Sequence, residues 1–378
     1  MKKIFLIIFL ISILIFIAHY KVVGKAVYGD GVYYYSYVRS AVIDKNLDFA
    51  NELKFFGREE RISKTGLTAN KFSIGSAILW LPFFLLAHII ARGDGYGDIY
   101  QIIVGSGCVV YGSLGLYFCF KLGEKLFDKK TSLLATIFIW LGTNLFFYIS
   151  VDVINSHASS FFIASLLAYL LIKNMIDKKD DYWLSGLLTG ILAMIRLQDI
   201  IFGVSILSEK ISGKKVWLKK VWYLLFIVIA FIPQLIVWKI LYGEIKSPYL
   251  TSGEQFNWLK PQIISVLFSG NNGLFYYSPI LIFSLIGLWQ LREKKSFIGL
   301  IGLLLFLIQL YLVSCWYMWW QGASYGGRMF ISLMPFFIIG LANFIKTSNR
   351  QYRKFIYGLF GLLVIINMGS IINFLLAN

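Results

Sequence analysis

Long apolar runs, separated by short polar segments, set the pattern of this chain. They fall at 4–20, 101–121, 132–150, 157–173, 183–195, 199–209, 221–241, 273–291, 297–314, 328–345 and 355–375. About 20 helical residues cross a hydrocarbon core, and in lipid a helix satisfies every backbone polar group within itself. The pattern therefore predicts an all-α, polytopic integral membrane helix bundle of about 11 spans. The runs 183–195 and 199–209 are too short to cross alone, and they predict a broken helix pair around Arg196. The run 73–91 is not counted as a span. If it crossed, the loop bearing Lys121, Lys125, Lys129 and Lys130 would lie outside, and every later loop would carry the wrong charge.

With 73–91 lying on or dipping into the outer face, the cytoplasmic segments hold 21 of the 36 Lys and Arg residues. This is the basic bias expected of inner loops. The segment from Lys21 to Arg92 carries 10 basic residues, but long loops escape that rule. The first run, after Met1-Lys2-Lys3, lacks a convincing cleavage site and reads as an uncleaved first span. Two modules are expected. Residues 1–210 form a catalytic membrane module that includes a long first extracytoplasmic loop, 21–99, with interfacial helices. Residues 211–378 form a second membrane module with outer loops 242–272 and 315–328.

Composition agrees with the pattern: 58% of residues are hydrophobic, 18% are aromatic, and the mean hydropathy is +0.72. A formal net charge of +17 suggests nucleic acid in a soluble protein, but here the basic flanks of spans account for it, and no nucleic-acid partner is expected. Cys108, Cys119 and Cys315 form no framework and no zinc spacing, so no metal is expected. The richness in Ile, Lys, Phe and Asn suggests an AT-rich bacterial genome, and hence a multi-pass protein of the bacterial plasma membrane.

Candidate chemistry lies in the outer segments. Gly29-Asp30-Gly31 follows the first span, and an acid between glycines at that mouth is neither anchor nor core. The tyrosines that follow, at 33, 34, 35 and 37, read as an interfacial helix at headgroup depth, with Arg39 at its end. Asp44 and Asp48 read as turn or helix-face residues, Asp48 being a weak second acid. Lys71, just before the run 73–91, suits a point contact to a lipid phosphate or a simple flanking role. Asp152 and His157 flank the outer end of a span and make a cluster with Asp30 plausible. Arg196, followed by Leu197-Gln198-Asp199, interrupts an apolar stretch. An arginine at a helix centre costs about 2.5–3.5 kcal/mol on insertion scales, so it faces a cavity or a partner, either an anion or an acid such as Asp199. An aromatic belt accounts for Trp316, Trp319 and Trp320, but not for Gly322, Gly326 and Gly327 running into Arg328, where a glycine-rich turn lets backbone approach a ligand. Glu254 is an outer-loop acid without an evident role.

Taken in order, Gly29-Asp30 to Asn51-Glu52, Lys71 to Pro82, Asp152 to Ala158, Arg196-Leu197-Gln198 and Gly322 to Arg328 resemble the GT-C superfamily. These are membrane glycosyltransferases that use polyprenyl-phosphate-linked sugars, and they include the protein O-mannosyltransferases and aminoarabinose transferases. The resemblance covers most of the chain and rests on the order of the segments, since no single motif is specific. It implies a GT-C-like fold, Asp30 as the catalytic acid of the first outer loop and Asp152 as the acidic position of the second. Arg196 takes the basic position of the split span, and Arg328 assists with phosphate. The substrate-binding set is then Arg39, Lys71, His157, Arg196, Gln198, Trp319 and Arg328. The Gly-Asp-Gly of this chain replaces the Asp-Glu pair of better-known members.

The chemistry is coherent on its own terms. A lipid-phosphate sugar carries an activated leaving group, so one general base suffices for a single inverting displacement, and cations stabilise the departing phosphate. No nucleotide-binding glycine loop is present, which fits a lipid-linked donor used at the extracytoplasmic face, with no further cofactor. The partners expected are the polyprenyl-phosphate sugar, membrane lipids and an extracytoplasmic glycan, lipid or protein acceptor. The alternatives are a transporter or flippase for a lipid-linked saccharide and an oligosaccharide polymerase or ligase.

Overall fold

The computed structural model describes residues 2–177, 181–208, 216–251, 254–293 and 297–377. Thirteen helices carry the architecture: α1 (Lys2–Val23), α2 (Gly31–Arg39), α3 (Gly75–Ala91), α4 (Asp98–Leu126), α5 (Lys129–Leu141), α6 (Leu145–Ser150), α7 (Ser156–Asp177), α8 (Tyr182–Ile195), α9 (Val216–Tyr242), α10 (Ile280–Glu293), α11 (Phe297–Cys315), α12 (Met334–Thr347) and α13 (Arg353–Ala377). Among the described residues, seven helices are long and apolar enough to cross a membrane, and α3, α8 and α10 are shorter apolar helices. The protein is an all-α, multi-pass membrane protein.

Besides the broken pair expected around Arg196, three of the apolar runs are split. The run 132–150 breaks at Gly142-Thr143-Asn144, the run 273–291 at Ser278-Pro279, and the run 328–345 opens with a 3-10 turn over Arg328–Leu333. Backbone freed inside a bundle must find partners. Asn367 of α13 supplies them, its amide donating to Leu141 O at 2.8 Å and Thr143 O at 3.0 Å. Ser278 Oγ accepts from Asn144 N at 3.3 Å, so two of the breaks lie against each other.

α1 runs antiparallel to α4, with Phe5 edge-on to Tyr117 at 5.4 Å and Phe16 filling the space above Gly105. α3 follows only the first half of α4: Leu79 O accepts from Tyr111, Phe83 covers Gly107, and His88 meets Tyr100 at 2.6 Å. The second half of α4 packs on α7 instead, with Phe161 over Gly115. α3 is therefore a 17-residue helix confined to one end of the bundle, the end that also holds residues 24–74.

Two apolar cores result. The larger takes side chains from Phe5 to Ile371, drawing on both sides of residue 210. The smaller packs Tyr34, Tyr35, Tyr37, Phe49, Trp80, Phe84 and Tyr100 together. The tyrosines expected at headgroup depth are thus largely internal. Tyr35 is fully buried and donates to Gly95 O at 2.6 Å, while Tyr37 donates to Phe72 O at 2.9 Å. Hydroxyls that find backbone acceptors let tyrosine fill a core without leaving a polar atom unpaired.

Candidate functional site

Three irregular segments meet at that end of the bundle. In the first, Gly29 adopts φ +55°, which turns the chain from α1 into α2. Asp30 stands at the start of α2, yet its side chain caps no backbone amide. Gly31 lies against the 151–155 loop so closely that a Cβ there would run into Ile154 O. The Gly-Asp-Gly sequence is explained by this contact: one glycine turns the chain, the other lets it dock, and the acid between them faces the second segment.

That second segment follows α6, where Asp152 N donates to Phe147 O at 3.1 Å. Asn155 Oδ1 accepts from Ser156 N at 2.7 Å at the start of α7, while its amide lies 3.5 Å from Asp152 Oδ2. Burial pushes the Asp152 carboxyl up to about 7; Asp30 adds to the shift, while Arg328 and Asn155 oppose it.

The third segment supplies Arg328, whose Nη1 donates to Asp30 Oδ2 at 2.7 Å. Asn272 Nδ2 shapes the loop before it, bonding Trp320 O at 2.8 Å and Gly322 O at 3.0 Å. Gly322 turns the loop at φ +75° beside the Arg328 guanidinium. The next residue is gripped from several sides. Met329 N donates to Gln321 Oε1 at 2.9 Å, and Met329 O accepts from Gln309 at 2.8 Å and Gln198 at 3.4 Å. Its thioether takes a contact from Arg196 Nη2.

Asp30, Asp152 and Arg328 line one cavity of about 760 Å³. Tyr28, Asn155 and Lys71 share its wall, and residues 58–59 and 61–64 with Glu244 and Lys246 form its rim. Lys71 Nζ pairs with Glu254 Oε1 at 2.6 Å.

Of the residues expected at the site, Asp30, Asp152, Lys71 and Arg328 are brought together. His157, Arg196 and Gln198 lie behind the wall: Arg196 Nη1 donates to buried His157 Nδ1 rather than facing the cavity. Asp199, weighed as its acid, instead accepts from Ser332 Oγ at 2.8 Å. Trp319 packs against the larger core. Arg39 is elsewhere. It pairs with Asp44 and, at 2.8 Å, with Glu52, donates to Asp94 O at 2.9 Å and lies 4.3 Å over the Tyr96 ring. The arginine is consumed in holding the first loop together, and Asp44 is its partner rather than a turn residue. Asp48 accepts from Thr68 N at 3.0 Å, which holds its carboxylate below the usual range.

Sequence reasoning missed Asn155, Gln309, Gln321 and the pairing of Glu254 with Lys71. Asn155 stands within the polar tip already singled out, and Gln309, isolated in the apolar run 297–314, carried a signal of its own.

The helical bundle with its split helices thus carries a separate cap of α2 and α3, with an acid at the mouth of α1. Comparison with known proteins finds a partial family match and a similar fold. Residues 100–238 match the model of the dolichyl-phosphate-mannose-protein mannosyltransferase family. The structure is similar to that of ArnT from Cupriavidus metallidurans in the apo state, with a TM-score of 0.53 and 12% sequence identity over 87% of this chain. The match spans 57% of the ArnT chain, little more than half its length. No curated protein matches this chain in sequence.

Proposed function

We propose that this protein is a glycosyltransferase that moves a sugar from a polyprenyl-phosphate donor to an acceptor at the extracytoplasmic face of a bacterial plasma membrane. The convergence of Asp30, Asp152 and Arg328 on one cavity carries the reading. Asp30 accepts the proton of an acceptor hydroxyl. The freed oxygen attacks C1 of the sugar as the bond from C1 to the phosphate oxygen breaks, with inversion. The electron pair leaves with the phosphate, and Arg328 and Lys71 stabilise its charge. The ion pair with Arg328 orients Asp30. Asp152 supplies the second carboxylate facing Arg328, and Arg196 and Gln198 serve the site through Met329. The acceptor is a glycan, lipid or protein presented to the rim.

The test compares the lipids and glycans of cells carrying the wild-type chain with those carrying Asp30→Asn. A polyprenyl-phosphate sugar that accumulates while one glycan disappears supports transfer. The same lipid trapped on the cytoplasmic leaflet would make the protein a flippase. In reconstituted membranes Asp30→Asn is expected to abolish transfer while donor binding persists, and retained transfer removes Asp30 as the base.

A further inference from the structure

We infer that Glu254 is the positioning residue of Lys71, and that with Trp316 it builds the anion-binding corner of the cavity. The inference rests on the reading above, in which the cavity takes a lipid phosphate. Lysine is a point charge on a flexible four-carbon stem, so by itself it defines no direction. Here the stem ends on a carboxylate that is nearly closed to solvent: the Glu254 side chain is 4% exposed, against 40% for Lys71. Both oxygens of Glu254 are engaged. Oε1 takes Lys71 Nζ at 2.6 Å, and Oε2 takes the Trp316 indole N–H at 2.7 Å.

The Glu254 segment is itself fixed. Tyr317 N donates to Gln255 O at 2.9 Å, Asn257 N to Cys315 O at 2.6 Å, and Gln262 N to Ser314 O at 2.8 Å. The carboxylate is therefore anchored to the chain that leaves α11, while Lys71 belongs to the segment that enters α3. One of the three ammonium hydrogens goes to Glu254, which leaves two for a ligand in the cavity. The corner thus joins three distant segments around one cation. A buried carboxylate that loses its paired cation becomes costly, so the two residues are expected to act as a unit.

The experiment measures binding of undecaprenyl phosphate to the full chain purified in detergent. The variants are Lys71→Met, Glu254→Gln, Glu254→Asp, Trp316→Phe, Arg328→Ala and the Lys71→Met/Glu254→Gln double variant. Glu254→Gln is expected to weaken binding about tenfold, the size of one charge-assisted hydrogen bond, and Trp316→Phe about threefold. In the Lys71→Met background Glu254→Gln is expected to add nothing, and Glu254→Asp recovers part of the affinity. A merely structural Glu254 would instead lower the melting temperature and weaken binding additively with Lys71→Met. That result, or affinity unchanged in Glu254→Gln while Lys71→Met and Arg328→Ala both weaken binding, overturns the inference and leaves the transferase reading standing. Affinity unchanged in Lys71→Met and Arg328→Ala would overturn the lipid-phosphate reading and this inference with it.

Discussion

The two sides of the cavity are built differently. On the inner side, Asp30, Asp152 and Arg328 stand on segments locked by backbone contact, by the Asn155 and Asn272 amides, and by four polar side chains closing on Met329. On the rim, the 57–69 segment is tied at its ends, by Arg58 N on Leu53 O at 2.8 Å and Thr68 N on Asp48 Oδ1 at 3.0 Å, while between them it is held by one short bridge, Ile62 to Thr68, by Thr65 Oγ1 on Leu241 O at 2.8 Å, and by ion pairs in water. Lys64 and Glu244 are 85% and 43% exposed at 3.4 Å, and Arg61 and Glu59 are 78% and 88% exposed at 3.8 Å. Exposed pairs contribute about 0–1 kcal/mol, whereas a buried polar group left unpaired costs about 1–3 kcal/mol. The difference separates a fixed inner wall from an adaptable entrance. In this reading, the same chemistry can serve acceptors of different shape by changes at the rim alone.

The sharpest way to break the comparison is Gly31→Val. Its Cβ has no room beside Ile154 O, so α2 must lift from the 151–155 loop and part the two carboxylates. Transfer is expected to fall at least about 100-fold, as reacting groups misplaced by about 1 Å do. Activity within a few-fold of wild type would mean that the inner side is not rigid.

Asp152 gives a smaller effect with a defined sign. Its folded pKa is raised by burial to about 7 from an ordinary value of 3.8, so the folded state holds more protons than the unfolded state between these values. Stability from this group is present at low pH and lost as pH rises through about 7, by roughly 1–3 kcal/mol. Thermal unfolding followed from about pH 8 to about pH 5 should therefore show wild type gaining on Asp152→Asn. Parallel curves would place the carboxyl in water. The smallest change expected is for Glu244→Gln at the rim, where stability stays within about 0.5 kcal/mol. A larger loss would show the rim to be as firmly built as the inner side.

Much of the site was legible in the sequence because membrane spans alternate. Once their order is read, polar tips at 30, 152 and 328 must fall at one face, and the structure brings these three together. What stayed hidden depended on partners without a spacing rule. Arg39 looks like a free cation until Asp44, Glu52, Asp94 and Tyr96 close on it from three segments. Arg196 was legible as a break, but nothing in the sequence marks a thioether and an imidazole as its neighbours. The helix breaks were hidden for a different reason: hydropathy is averaged over a window, and three residues at 142–144 disappear in an apolar run. The tyrosines failed because residues 33–37 show no stripe, so periodicity could not tell an interface from a second core.

The grip of Asn367 on the broken helix carries a consequence for biosynthesis. Through Tyr325, whose hydroxyl meets Asn367 Oδ1 at 2.9 Å and whose amide donates to Tyr148 at 3.1 Å, the same asparagine touches the loop that leads into Arg328. α13 emerges from the ribosome after every other helix described, so the carbonyls of Leu141 and Thr143 wait for Asn367 until then. The end of the bundle that holds the cavity is therefore sealed late in translation, and a nascent chain in the membrane is held short of a finished cavity until that helix docks.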